Sequence, residues 1–201
     1  MIMNSHLLMS KILYNFCIKE LNFKLDKTAF MVGNIKPDFQ PEEIKEEHNY
    51  NVSINKLVNY SKKLSQKDMS NKAYSLALGV MCHFTCDYFC LYHQEDKEKK
   101  GMVEHFIYET ILHFVLVTQL LRRKITVNKN EILARKDIEN IMLHNQQVYL
   151  SKARSYVKDI KFALASAALV LEYMLCYSSV EAEVSRKEQI AMLPEVVAGI
   201  I

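Results

Sequence analysis

The stretch LALGVMCHFTCDYFCLYH, residues 76–93, carries a single acidic residue and two histidines among side chains otherwise fit for full burial. Ala73, Leu76, Ala77, Val80, Phe84 and Leu91 recur at helical spacing, and the segment is apolar nearly all round. A helix of this kind belongs at the centre of a bundle. A carboxylate on it, Asp87, requires a cationic partner or a metal, because an isolated buried charge is far too costly.

Working outward, the same periodicity continues in both directions. Met9, Ile12, Leu13, Phe16 and Cys17 predict a first helix, with Ser5 as its N-cap. Residues 27–40 read as a break in which Gly33 and Pro37 interrupt any helix. Ile54, Leu57, Val58, Ser61 and Leu64 mark an amphipathic helix before the central one. After the charged loop QEDKEKKG (94–101), helices are expected over about 103–123, 130–157 and 159–182, and the tail with Pro194 and Gly199 is left unassigned.

The 201 residues include four Gly and three Pro, with no Pro between Pro41 and Pro194. That composition excludes most all-β folds, which need frequent turns, and leaves no glycine-rich phosphate loop. The expectation is an all-α fold, six or so helices in a single domain over 1–201. Lys+Arg 26 against Asp+Glu 23 gives a net charge of +3, too mild to indicate nucleic acid or membrane by charge alone. Five cysteines are an odd number, and Cys82, Cys86 and Cys90, four apart on an apolar segment, form a core pattern rather than a disulfide framework. The opening MIMNSHLLMSKILYNF lacks a basic n-region and an uninterrupted apolar run, and no uncharged run has spanning length. A reduced, cytoplasmic protein is expected.

The chemical signal is where histidines fall relative to acids. His83 and Asp87 are four apart on the central helix, and His105 and Glu109 are four apart on the next. On a helix such a pair shares one face with Cβ atoms roughly 5–6 Å apart, within reach of one metal ion. Taken alone, either pair reads as an ordinary i, i+4 interaction. Burial of the first pair and repetition of the chemistry on the next helix point instead to a helical metal cluster. No Glu-x-x-His occurs, against a ferritin-like di-iron bundle; no His is followed by Asp, against a His-Asp phosphohydrolase; His-Glu-x-x-His and Cys-x-x-Cys are both absent.

Asn4-Ser5-His6, then Gly33-Asn34-Ile35-Lys36-Pro37-Asp38, His48, His83-x-x-x-Asp87 with His93, and His105-x-x-x-Glu109 together resemble the bacterial zinc-dependent phospholipase C family over roughly residues 5–110. The resemblance implies an all-helical domain holding two or three Zn²⁺ ions. It assigns Asp38, His48, His83 and Asp87 to one zinc and His93, His105 and Glu109 to a second. It further implies a third, bridged by Asp87 and bound by His6 and by the amine and carbonyl of an N-terminal Trp. This chain has no Trp, and Met1, five residues before His6 as in the related S1/P1-type nucleases, is expected to supply that amine and carbonyl.

The implied activity is hydrolysis of a phosphodiester, a phospholipid headgroup or a related ester, by metal-activated water, with Asp38 as general base. Nucleic acid is not the expected partner, and membrane contact is at most peripheral. The alternatives are an S1/P1-like nuclease and a metal-binding protein without turnover. Of the remaining residues, His113 is assigned to the core or to support of the site and His144 to the surface or core; Tyr88, Tyr92 and Tyr108 are core packing or groove lining.

Overall fold

The computed structural model describes residues 1–39, 50–65, 69–93, 101–127 and 137–177. Seven α-helices occur among them and no strand: α1 Met3–Lys19, α2 Lys27–Ile35, α3 Tyr50–Ser65, α4 Asn71–Tyr88, α5 Met102–Leu121, α6 Ile138–Ser151 and α7 Tyr156–Glu172. The all-α expectation holds. Three-residue-per-turn segments follow α2 at Lys36–Phe39 and α4 at Leu91–His93. No helix among the described residues is long and apolar enough to cross a membrane.

The apolar stretch does supply the central helix. Helix α4 packs against α1, α2, α3 and α7, and Leu78, Met81, Cys82 and Cys86 on it are fully buried. Its most extensive contact is with α2, which lies where a break was expected. Asp26 caps α2 by accepting the Ala29 N–H at 2.8 Å, and its own N–H is donated to Ser75 Oγ of α4 at 2.9 Å. From there the two helices run in the same direction, as far as Asn34 beside His83.

Gly33 does not interrupt α2. It faces Gly79 of α4 at backbone contact: a Cβ built on Gly33 would stand 2.1 Å from the Leu76 carbonyl oxygen, and one on Gly79 would stand 2.3 Å from that of Phe30. The residue is glycine because two helices touch there, not because the chain turns. Pro37 marks the true end of the element, inside the Lys36–Phe39 turn.

Other boundaries also move. Ser5 does not cap α1; Ile2 occupies that position without a side-chain cap, and Ser5 lies buried inside the first turn. The helix expected over 130–157 ends at Ser151 and is separated from α7 by Ser155, whose side chain accepts the Lys158 N–H and so starts a new helix. His48, Pro41, the loop 94–100 and the tail beyond Tyr177 lie outside the described residues.

Helix α7 completes the core with Ala163, Ala167, Val170 and Leu171, all inaccessible to solvent, packed on α4. The consequence for function is geometric. The start of α1, the end of α4, the first half of α5 and the turn after α2 converge on one region of the bundle.

Candidate metal centre

Asp87 occupies the middle of that region, with its side chain 6% exposed. Three groups close on it. The Met1 amine donates to Oδ1 at 2.6 Å, His6 Nε2 lies 3.2 Å from the same oxygen, and His83 Nε2 lies 3.2 Å from Oδ2. Asp38 reaches in from the turn after α2, with Oδ1 3.9 Å from His83 Nε2. The His6 and His83 rings stack at 4.0 Å between centroids.

His83 is oriented by backbone. Its Nδ1 is 2.8 Å from the Asn34 carbonyl oxygen, which can only accept, so Nδ1 carries the hydrogen and the Nε2 lone pair faces the acids. That is the tautomer a metal ligand needs, fixed by the usual outer hydrogen bond. His6 is the stronger indicator. It is wholly buried, and among the described residues neither ring nitrogen has a hydrogen-bond partner, Nε2 lying outside hydrogen-bond geometry despite its nearness to Asp87. Buried imidazole nitrogens are seldom left without a partner unless something else is to be bound there.

A second group adjoins the first. Glu109 Oε1 is 2.8 Å from His105 Nε2, 3.5 Å from His93 Nε2 and 3.0 Å from the Met1 amine. The Met1 amine thus lies between the two groups, paired with one carboxylate from each. Among the described residues, two trios have ligand atoms within 4.8 Å of one another: His6, His83 and Asp87, and Cys90, His93 and Glu109. The donor chemistry, imidazole with carboxylate and thiol, suits zinc.

The charges follow from this packing. Burial alone would hold the Met1 amine neutral, but Asp87, Cys90 and Glu109 outweigh it and push its pKa up to about 12. Burial likewise disfavours an ionised Asp87, yet the Met1 ammonium and the neighbouring histidines keep its carboxyl well below the usual range. Glu109 is also held low, with burial opposed by hydrogen bonds from His105 and His93. His6 moves the other way: burial, then repulsion from His83, bring it down to about 3, so it is a neutral donor at physiological pH. Asp38 is raised, chiefly by partial burial.

Behind the second group, Tyr108 links three elements. Its hydroxyl accepts the Leu91 N–H at 3.3 Å and donates to Asp159 of α7, whose other oxygen accepts from Tyr149 of α6 at 2.8 Å. This arrangement ties the Leu91–His93 turn to α5, so that His93 meets His105 and Glu109. Tyr108 is therefore support rather than groove lining, whereas Tyr92 stacks on His105 at 5.1 Å. His113 Nδ1 faces Ser5 Oγ at 3.1 Å, joining α5 to α1, and His144 is exposed.

The model of the zinc-dependent phospholipase C family matches residues 5–168, most of the chain and all of the centre after Met1. The chain belongs to the zinc-dependent phospholipase C family. No curated protein and no solved structure matches it. Membership in this zinc-dependent phospholipase C family agrees with the all-helical fold and with the two donor trios.

Of the candidate ligands, Met1, His6, Asp38, His83, Asp87, His93, His105 and Glu109 are brought together, and His48 lies outside the described residues. The residues that sequence reasoning missed are Cys90, Asp159 and Tyr149. Cys90-x-x-His93 was a readable signal for the first, hidden by the four-residue cysteine stack. Nothing local marks the other two. A cleft of about 360 Å³ between residues 124–127 and α7 contains none of the cluster.

Proposed function

We propose that this chain is a zinc-dependent phosphodiester hydrolase of the phospholipase C type, acting on a phospholipid headgroup or a related phosphate ester. The observation that carries the reading is the meeting of two donor trios around one amine, with a carboxylate of each trio on it. In the metal-free protein an ammonium held by one buried and one partly buried carboxylate stands where a dication cluster would otherwise place its charge. On this reading the Met1 ammonium would lose its proton to solvent when the ion binds, and its amine and carbonyl would serve a third site with His6, in place of the family's Trp.

Bound zinc supplies Lewis acidity toward phosphate oxygens and makes hydroxide available near neutral pH. The protein's own contributions are these. Asn34 fixes the His83 tautomer, and Asp87 serves both His6 and His83. Asp38 is the more exposed of the two carboxylates beside His83, its side chain 28% exposed where Asp87 is 6%, and on this reading it takes the proton of the attacking water.

Lipid is favoured over nucleic acid by α5. Val103, Phe106, Ile107 and Phe114 give that helix an apolar outward stripe among the described residues, where a nucleic-acid surface carries Lys and Arg. The test is hydrolysis of phosphatidylcholine in mixed micelles beside a soluble phosphodiester and single-stranded DNA. Chelator-sensitive, zinc-restored cleavage of the lipid supports the proposal. Cleavage of DNA alone contradicts its substrate, and zinc-loaded protein inert on all three contradicts its activity.

A further inference from the structure

Beyond Tyr88, the last residue of α4, the chain tightens from four-residue to three-residue steps. The Cys90 N–H is donated to the Asp87 carbonyl at 2.9 Å, and the His93 N–H to that of Cys90 at 3.0 Å. With three residues per turn, side chains at i and i+3 eclipse, so Asp87, Cys90 and His93 come onto one face.

The other described free cysteines are placed differently. Cys86 Sγ lies 3.9 Å from the Ala163 carbonyl oxygen on α7, and Cys82 lies in the core toward Cys17. Among these four cysteines, Cys90 has its sulfur within 4.8 Å of ligand atoms of His93 and Glu109, and the other three join neither donor trio. It is fully buried, and the charged groups facing it are the Met1 ammonium, Glu109 and Asp87.

We infer that Cys90 is a zinc ligand of this protein, joining His93, His105 and Glu109 at the second site. The inference rests on the zinc-dependent reading above and adds a donor outside the set that the family resemblance implies. On binding, the thiol proton leaves to solvent and a sulfur lone pair is donated to the ion. A thiolate and a carboxylate balance the two positive charges, and with two imidazoles they make a four-ligand set of the closed, structural kind. Opening for substrate then belongs to the His83 side, where Asp38 is partly exposed.

The test is zinc-edge X-ray absorption on the zinc-loaded wild-type protein, with Cys90→Ser and Cys86→Ser compared after cobalt substitution. The expected result is a sulfur scatterer at about 2.3 Å in the wild type, and a near-ultraviolet thiolate-to-cobalt band lost in Cys90→Ser and kept in Cys86→Ser. Zinc bound with only nitrogen and oxygen neighbours overturns the inference and leaves the zinc-dependent reading standing. A band that survives in Cys90→Ser overturns the assignment to this cysteine. Protein that binds no zinc at all overturns both. The wild-type spectrum decides whether sulfur binds the ion even where the serine variant does not fold.

Discussion

At the scale of single residues, the centre turns on Asp87. It is the only acid in the apolar stretch 76–93, and it contacts the Met1 amine, His6 and His83. Asp87→Asn keeps the shape and removes the charge, so the variant is expected to lose bound metal together with activity, by about a hundredfold, as metal analysis and turnover will show. Full metal retention would contradict that role. His6 makes a separate prediction for the metal-free protein. Its folded pKa of about 3 lies below the unfolded value of 6.5, so the unfolded chain binds more protons between them. Stability from this residue is therefore complete above pH 6.5 and falls as the pH drops toward 3, by roughly a few kcal/mol. His6→Asn should flatten that part of the pH profile in denaturant titrations. Asp87, with its depressed pKa, acts in the same direction below its unfolded value of 3.8. The individual donors were legible because His and acids on an apolar helix have few other reasons to be there.

At the scale of elements, the pairing of α2 with α4 sets the position of the Asn34 carbonyl and of the turn bearing Asp38. Gly33→Ala or Gly79→Ala would drive a methyl group into backbone, which cannot yield as a side chain does. Each is expected to cost about 3 kcal/mol in chemical unfolding and to weaken zinc binding. Tyr108→Phe removes a donor from buried Asp159 and an acceptor from Leu91, with an expected loss of about 1–3 kcal/mol and weaker metal binding at the His93 side. Unchanged stability would show that the link to Asp159 is dispensable. Here the sequence was only partly readable. Helix periodicity marked α1, α3, α4 and α5, but a glycine needed for close approach has the same letter as one needed for a turn, and α2 was lost to that ambiguity. Asp159 and Tyr149 were not legible either, because their partnership with Tyr108 exists only after three helices have packed.

At the scale of the whole molecule, one helical bundle brings together the start of α1, the turn after α2, the end of α4 and the first half of α5. The carboxylates gathered there repel one another unless cations are present, so zinc should stabilise the folded chain by mass action. Chelation is expected to lower the melting temperature, and zinc, not magnesium, should restore it. The class of fold was plain from the scarcity of Gly and Pro, while the convergence of distant segments was readable only from the pattern of His and acids and the family it resembles. Zinc-dependent cleavage of a phosphodiester is tested most directly by phosphatidylcholine hydrolysis with the untagged protein before chelation, after it, and after zinc is returned. Activity is predicted to be abolished and then recovered in step with bound zinc. Hydrolysis that is indifferent to zinc, or zinc-loaded protein with no hydrolysis, would contradict it.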